Sequence, residues 1–349
     1  MPAGRDRQGG PARVAAALGV TRIARLTGLD RTGVEVASAI RPRGHVLQAT
    51  AGKGARFEDA ARGALMEAAE LYGAERTVAG PWGSAEELSA RLGPDAVVSP
   101  RALDPDGGPA WDRARLAWRE GADLLRAGRA LVPAHAVHVP PAGAPSLGPA
   151  LVRWTSNGMG AAPRREDALL HALLEAVERD RLARALPEGF TEREIGRRTI
   201  DSGTLARAAP LAAALVRRIA ARGLRVYLLD LGGRSATPTP IATSTSTSIP
   251  TRTGIRALPA SFDLGFPCAA ALLVDPHEGA VPVAAGYACR LGRDPALVAA
   301  LLEAAQSRAT EIHGAREDVA FGDRRAAAAL ISLCARARAR RDAAAMPDH

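Results

Sequence analysis

Apolar residues recur at helical spacing in the first of three long segments of this chain. Its apolar positions are Phe57, Ala61, Ala64, Leu65, Ala68 and Tyr72. This spacing is typical of an α-helix with one buried face. A second segment is apolar on nearly every side, and a third opens with Asp294 and Pro295, which favour a helix start. The pattern predicts helices over residues 57–75, 164–186 and 294–313.

Short apolar runs bounded by turn residues predict β-strands between these helices. They lie at residues 34–40, 45–51, 115–118, 130–138, 224–231, 268–274 and 281–285. The run Cys268–Val274 is continuously apolar, so a buried strand is expected, and it should form an antiparallel hairpin with the strand after it. Residues 199–222 are alanine-rich and are expected to be helical. The elements predict an α+β fold, with mixed, largely antiparallel sheets packed with long helices.

Three stretches fall outside this regular pattern. Residues 1–18 are expected to form a flexible lead-in, and residues 321–349 a C-terminal helix and tail. The Ser/Thr/Pro-rich tract at 232–260 has too few apolar residues to form a packed core. A tolerated insertion is favoured there over a functional lid. Residues 19–320 are therefore interpreted as one large domain interrupted by this tract.

The overall composition is that of a globular protein. The 349 residues are 47% hydrophobic and 24% charged, without the run of about 18 apolar residues that a membrane span needs. The N-terminus lacks the apolar core of a signal peptide. The three cysteines include no CxxC pair, which argues against a zinc site or a disulfide framework. A cytoplasmic location without a membrane partner is expected.

The net charge of +9 could suggest nucleic-acid binding, but the distribution of residues argues against it. Aromatic residues make up only 3% of the chain, and base stacking needs aromatic side chains between the basic ones. An anionic small ligand such as a nucleotide would use the same positive field. Among the 46 basic residues Lys53 is the only lysine, which hints at a position that needs a compact ammonium group.

Each of the three long helices carries a glutamate followed three positions later by Glu or Gln. The pairs are Glu67/Glu70, Glu175/Glu178 and Glu303/Gln306, with Arg179 and Arg308 following the second and third. Positions i and i+3 share one side of a helix. One such pair is typical of a solvated face, but three pairs in apolar surroundings favour a shared cation. Carboxylates suit Mg²⁺ and arginine forks suit phosphate, so the set predicts an Mg²⁺–nucleotide site.

A Gly52-Lys53-Gly54 segment follows the second predicted strand. It lacks the glycine spacing and the Ser/Thr of a Walker loop. A turn of this composition could still place backbone N–H groups and an ammonium group near an anion. The alternative is a simple turn between a strand and a helix, and spacing alone does not separate the two.

Taken together, the motifs resemble those of the YcaO family. The family pattern has Ser-x3-Glu-x2-Glu-Arg, then a Ser-Asn-Gly turn with a Glu-x2-Glu-Arg helix, then Glu-x2-Gln-x-Arg. This chain has Gly63-x3-Glu67-x2-Glu70, then Ser156-Asn157-Gly158 with Glu175-x2-Glu178-Arg179, then Glu303-x2-Gln306-x-Arg308. Thr27-Gly28-Leu29-Asp30 and the Gly-Lys-Gly segment also resemble the family. The resemblance extends from Arg22 to about Asp318.

The resemblance implies a YcaO-like fold and an enzyme that uses ATP and Mg²⁺ to phosphorylate backbone amides of a ribosomally made peptide. In this family a nucleophile adds to the amide carbon, the oxyanion takes the γ-phosphoryl group, and phosphate leaves. The residues carried over as Mg²⁺ ligands are Glu67, Glu70, Glu175, Glu178 and Glu303. Those carried over to the nucleotide or its phosphates are Lys53, Ser156, Asn157, Arg179, Gln306 and Arg308.

The nucleophile decides the product: an azoline, a thioamide or an amidine. The chain ends without the Pro-x-Pro-x-Pro tail of many azoline-forming members, and no fused leader-binding domain is evident. The resemblance therefore favours a thioamide-forming homodimer that stands alone or works with a TfuA-like partner, and an azoline-forming enzyme with a separate leader-binding partner is the alternative. Gly63 and Leu71 replace the serine and the arginine of the first family motif. A non-catalytic, nucleotide-binding scaffold is therefore a further alternative.

Overall fold

The structure is a computed structural model that describes residues 9–76, 80–104, 106–232, 265–277, 279–315 and 324–344. These residues contain eleven α-helices and nine β-strands. The helices are α1 Gly9–Leu18, α2 Phe57–Glu75, α3 Ala85–Leu92, α4 Pro100–Leu103, α5 Ala134–Val137, α6 Arg165–Ala185, α7 Glu192–Arg198, α8 Ser202–Ala208, α9 Pro210–Ala220, α10 Arg293–His313 and α11 Arg324–Ala344. The strands are β1 Arg22–Arg25, β2 Glu35–Ile40, β3 Ala49–Gly54, β4 Trp82–Gly83, β5 Leu116–Asp123, β6 Gly128–Pro133, β7 Arg225–Asp230, β8 Cys268–Val274 and β9 Val283–Cys289.

The described residues fall into two compact units. The first contains the described parts of Met1–Leu71, Asn157–Arg234 and Asp263–His349. The second contains the described residues of Tyr72–Ser156. All of the strands pair antiparallel with their neighbours, in three sheets of three strands. The predicted α+β class, with antiparallel sheets and long helices, is therefore confirmed.

Two of these sheets belong to the first unit, with the strand orders β1-β2-β3 and β7-β8-β9. The central strand β8 is buried along its whole length. Its alternate residues join two different apolar clusters, one with α9 and α10 and one with α6, α7 and α11. A strand buried on both faces has a continuously apolar sequence instead of an alternating one, which explains the run Cys268–Val274.

Two motif helices pack very closely onto the last strand of a sheet. A Cβ atom added at Gly52 of β3 would lie 2.1 Å from the carbonyl oxygen of Ala60 in α2. A Cβ atom added at Gly286 of β9 would lie 2.2 Å from the backbone nitrogen of Ala304 in α10. Both positions therefore need glycine, because the helix backbone occupies the space of a side chain. Each of the two sheets in the first unit thus has one motif helix whose backbone contacts its edge strand.

The second unit has its own small core. Strands β4, β5 and β6 form its sheet, and the β5–β6 hairpin pairs Trp118 with Pro133. The Trp118 side chain is buried, and its indole N–H donates to the carbonyl oxygen of Gly83 at 3.0 Å. Ser84 caps α3 with a capping box that includes Glu87.

The three long motif helices are confirmed as α2, α6 and α10, each within one residue of its predicted bounds. Other boundaries were wrong. Gly52-Lys53-Gly54 lies inside β3, where Lys53 is paired with Val36, and does not form a turn. The helix predicted over residues 199–222 is two helices, α8 and α9, because Pro210 cannot continue the first.

The C-terminal helix expected after residue 320 is present as α11, Arg324–Ala344. At the other end, helix α1 covers residues 9–18 of what the sequence predicted as a flexible lead-in. Most of the tract at 232–260 and the last residues, 345–349, lie outside the described residues. Among the helices that the structure describes, none combines the length and the apolarity that crossing a bilayer requires.

Candidate nucleotide and metal site

The five glutamates predicted as metal ligands all lie in the first unit, and each is fixed by a backbone N–H group. On α2, Glu67 accepts a hydrogen bond from the N–H of Ala51 at 2.8 Å, and Glu70 accepts one from the N–H of Ala161 at 3.0 Å. On α6, Glu175 accepts one from the N–H of Gly158. The loop that follows Asn157 therefore holds carboxylates from two different helices.

The other two glutamates are fixed to the outer edge of β9. Glu178 of α6 accepts from the N–H of Cys289 at 3.2 Å, and Glu303 of α10 accepts from the N–H of Tyr287 at 3.4 Å. Alternate N–H groups of an edge strand point away from its sheet. The carboxylates occupy two of these open donors, and the second oxygen of each faces a cationic side chain, Lys53 for Glu303 and Arg179 for Glu178.

Mutual repulsion and burial raise the pKa of several of these carboxyl groups. Burial raises the pKa of Glu70 to about 7, and the neighbouring charges of Glu67 and Glu175 add to the effect. Burial also raises the pKa of Glu178 to about 7, with Glu303 contributing. The pKa of Glu175 is raised as well, mainly by burial. Glu70, Glu175 and Glu178 thus lie close enough to other carboxylates of the set for the neighbouring charges to disfavour their ionised forms.

Two of the predicted phosphate-binding cations lie among these carboxylates. The Nζ atom of Lys53 is 3.0 Å from Oε2 of Glu303. The Nη2 atom of Arg179 lies 3.8 Å from Glu175 and 3.6 Å from Glu178. Its Nε atom is buried and has no hydrogen-bond partner. Leaving a buried donor without an acceptor is costly, and an anion bound here would remove that cost. Arg179 therefore has a donor to offer to an anion.

Arg308 is used differently in this structure. Its Nε donates to Asp30 at 2.9 Å, its Nη2 donates to Asp275 at 3.1 Å, and its Nη1 donates to the carbonyl oxygen of Val281. The side chains of Arg308, Asp30 and Asp275 are 4%, 3% and 1% exposed. The predicted phosphate contact of Arg308 stays a prediction, because all three nitrogens already donate to buried acceptors.

Three further residues were predicted to contact the nucleotide. Gln306 is half-buried one turn after Glu303 on α10, and Asn157 is exposed just before Gly158. Ser156 is exposed and belongs to the second unit. Their assignments stay predictions.

The two departures from the family pattern occupy packed positions. A Cβ atom added at Gly63 would lie 3.3 Å from Cα of Gly52, so a larger side chain there would press on β3. Leu71 is buried at the end of the first unit. Neither position supplies the polar side chain that the family pattern has there.

Two residues to which the sequence assigned no role also act on this site. The Nε2 atom of His171 is 3.9 Å from Oε1 of Glu70, one helical turn before Glu175. Burial is the main cause of the raised pKa of Glu178 and of the lowered pKa of His171, and the positive charge of Arg290 acts in the lowering direction on both groups. Only their positions in the sequence could have indicated a role, because His171 is four residues before Glu175 and Arg290 directly follows β9.

The donor set suits Mg²⁺ in its chemistry. Mg²⁺ prefers carboxylate and phosphate oxygens, and carboxyl groups with raised pKa values are stabilised by a nearby cation. Within the described ranges, no three acidic, histidine or cysteine side chains already converge as a finished metal site. Glu67, Glu70, Glu175, Glu178 and Glu303 would hold the ion together with phosphate oxygens, and the ion would neutralise phosphate charge.

Comparison with known protein families agrees with this geometry. A family model described as YcaO cyclodehydratase, ATP- and Mg²⁺-binding, matches residues 51–254 and 250–348. The chain belongs to the YcaO family. The ATP- and Mg²⁺-binding character expected from the motifs is thereby confirmed at the level of the family, whose members are ATP-dependent enzymes that modify peptide amides.

Individual relatives of this YcaO protein cover most of the chain. An uncharacterized protein of Methanothermobacter thermautotrophicus is 33% identical over 308 residues, which span 86% of this chain and 68% of that protein. An uncharacterized protein in the tfuA 3′ region of Rhizobium leguminosarum bv. trifolii is 29% identical over 325 residues, which span 90% of this chain and 69% of that protein.

The fold also matches a solved structure of the same family. The structure of YcaO from Methanopyrus kandleri bound with AMPPCP and Mg²⁺ superposes with a TM-score of 0.55 at 22% sequence identity. The match covers 88% of this chain and 67% of that one. At this identity the likeness supports the fold, and the assignment of individual residues depends on the contacts described above.

Proposed function

We propose that this YcaO protein uses ATP and Mg²⁺ to activate backbone amides of a ribosomally made peptide, and that a TfuA-like partner helps it to form thioamides. The observation that carries the proposal is the set of five backbone-fixed carboxylates from α2, α6 and α10, with Lys53 and Arg179 among them. The tfuA context of the Rhizobium relative supports the choice of partner.

In the proposed reaction a sulfur nucleophile adds to the amide carbon, and the electron pair of the C=O bond moves to oxygen. That oxygen attacks the γ-phosphorus of ATP, and ADP leaves. Phosphate then leaves from carbon as the C=S bond forms, so one oxygen is exchanged for one sulfur. Lys53 and Arg179 would bind phosphate oxygens and place them in line with the amide oxygen. Bound Mg²⁺ would supply neutralisation of the transferred charge.

Mass spectrometry of the product distinguishes this chemistry from its main alternative. The protein is incubated with a TfuA-like partner, the peptide encoded beside it, a sulfide donor, ATP and Mg²⁺. Exchange of oxygen for sulfur supports thioamide formation. Loss of water shows an azoline, which the cyclodehydratase description of the family favours.

Variants on α6 test the assignment of the site. Glu178→Gln should abolish Mg²⁺-dependent ATP turnover, because it removes a buried carboxylate near the proposed ion. Glu166→Gln is the matched control, because Glu166 lies on the same helix with a side chain that is 72% exposed. Unchanged turnover in Glu178→Gln would contradict the enzymatic proposal.

A non-catalytic scaffold is the second candidate, and the packed positions of Gly63 and Leu71 favour it. A scaffold would bind nucleotide with Mg²⁺ but would consume no ATP in the presence of peptide and partner. ATP consumption that depends on the peptide excludes the scaffold. The expected homodimer is measured separately by light scattering after size-exclusion chromatography.

A further inference from the structure

Three cationic side chains were predicted to bind phosphate, and a fourth, Arg290, lies beside Glu178; the four differ in what they already bind. Lys53 is paired with a carboxylate of α10, and Arg179 lies beside two carboxylates of its own helix. Arg308 is buried between two aspartates. Arg290 is the exception within the described part of the chain, because no ion pair joins it to a carboxylate.

The backbone places Arg290 next to a site carboxylate. Its neighbour Cys289 donates its N–H to Glu178, and Arg290 itself donates its backbone N–H to the carbonyl oxygen of Pro267 at 3.1 Å. Its Nη1 donates to the carbonyl oxygen of Cys289 at 2.7 Å. One end of the guanidinium group is thus fixed, and the group still has donors for a further acceptor.

Both sheets of the first unit have a cation between an edge-strand glycine and a motif helix. In each sheet the edge strand contains a glycine that touches a motif helix, and a cation follows that glycine before the helix begins. Lys53 follows Gly52 ahead of α2, and Arg290 follows Gly286 ahead of α10. Lys53 directly follows its glycine and lies within β3, whereas Arg290 comes four residues after Gly286 and just beyond β9, so what the two cations share is a place between a sheet edge and a motif helix.

We propose that Arg290 binds the phosphate groups of the nucleotide, in the role that the sequence assigned to Arg308. Arg290 has unused donors, is half-buried and lies beside Glu178, whereas Arg308 has buried acidic partners that hold it in place. A planar guanidinium group suits this task because it can form two parallel hydrogen bonds with phosphate oxygens. The inference rests on the proposed nucleotide-dependent function and adds a residue to it.

Calorimetric binding of nucleotides tests the inference without any turnover. The wild-type protein, Arg290→Gln and Arg290→Lys are titrated with AMP, ADP and a non-hydrolysable ATP analogue in the presence of Mg²⁺. Arg290→Gln should weaken binding of the ATP analogue at least about tenfold, which corresponds to about 1.4 kcal/mol. The loss should be smaller for AMP, and Arg290→Lys should recover part of it, because it restores the charge without the fork.

Arg293→Gln is the matched control, because Arg293 is exposed three residues away at the start of α10. It should leave all three affinities within about twofold of wild type, the range of an exposed surface change. Thermal unfolding of every variant shows whether the fold is intact.

Three results would overturn the inference, and one of them would also contradict the proposed function. If Arg290→Gln binds the ATP analogue as tightly as wild type does, Arg290 is not a phosphate contact, and the proposed function stands. Equal losses for AMP and the ATP analogue would indicate a general disturbance of the site. If the folded wild-type protein binds no nucleotide, both proposals fail together.

Discussion

Replacing Arg308 with methionine removes the buried guanidinium group that joins two acidic turns to α10. The change leaves Asp30 and Asp275 as buried carboxylates, with side chains that are 3% and 1% exposed. Asp275 keeps Arg31 at 2.6 Å and the N–H of His277 at 3.0 Å. Asp30 loses more of its stabilisation than Asp275 does, because its Oδ2 atom already has no hydrogen-bond partner and its Oδ1 atom loses Arg308.

The expected loss follows from these partners. Breaking a buried ion pair by removing one member costs about 3–5 kcal/mol, because the remaining charge is buried without compensation. We therefore expect Arg308→Met to lower the free energy of unfolding by about 3–5 kcal/mol, and most of this cost should come from Asp30. Asp30→Asn added to Arg308→Met should recover part of the loss, because it removes the stranded charge.

Urea unfolding of the single and double variants measures this loss. Arg293→Met on the same helix is the control, and its effect should be within about 0.5 kcal/mol because Arg293 is exposed. If Arg308→Met lowers the free energy of unfolding by less than about 1 kcal/mol, the ion pairs of Arg308 contribute no more than solvent-exposed pairs do. That result would refute the structural role and return Arg308 to the predicted phosphate contact.

The pKa of Glu178 is raised from 4.5 to about 7, so this carboxyl group holds its proton more tightly in the folded protein than in the unfolded chain. As the pH rises from the lower to the higher value the side chain becomes charged in its buried place, and the folded state loses stability. Glu178→Gln should therefore stabilise the metal-free protein at pH 8, on the order of 2 kcal/mol, and the gain should mostly vanish at pH 4 in urea titrations; an equal gain at both pH values would contradict this. Because protons compete with a metal for Glu70 and Glu178, calorimetric binding of the Mg²⁺ complex of an ATP analogue should weaken from pH 8 to pH 6, and a flat profile would argue against these ligands. Gly52→Ala should destabilise the protein by about 3 kcal/mol, because the new Cβ meets the Ala60 backbone at 2.1 Å, whereas Gly63→Ala, with its nearest atom at 3.3 Å, should cost about 1 kcal/mol or less. Similar unfolding midpoints for the two alanine variants would show that β3 and α2 can separate without cost.

The long helices were readable from the sequence because their signals are local. Apolar spacing, Pro295 and the acidic first turns define α2, α6 and α10 to within one residue. The run Cys268–Val274 gave β8 with its bounds intact, because burial on both faces leaves a continuous apolar signature.

The Gly-Lys-Gly segment was misjudged because its composition is ambiguous without a partner strand. Glycines usually indicate a turn. Here Gly52 lies inside β3 because α2 approaches so closely that no side chain fits. Strand pairing with β2 and the packing of α2, which follows in the chain, distinguish this strand from a turn, and the composition of three residues holds no information on either.

The candidate site was predictable only in part, because its glutamates follow a sequence pattern and their partners do not. The pairing of glutamates on three helices suggested a shared site, and the fold does bring them into electrostatic contact. Their partners are backbone N–H groups of Ala51, Ala161, Tyr287 and Cys289, which have no sequence signature at all. The aspartates that hold Arg308 also come from distant turns, so its buried environment could not be inferred from the motif.

The pairing of Lys53 with Glu303 has a practical consequence for chemical labelling. Because Lys53 is the only lysine, an amine-acylating reagent has one side-chain target in this protein, and that target lies within the candidate site. Ligands that cover the ammonium group should slow its acylation, so the modified fraction reports how much of the site is occupied. Lys53→Arg removes the target while keeping a positive charge, and it therefore provides the blank for background labelling.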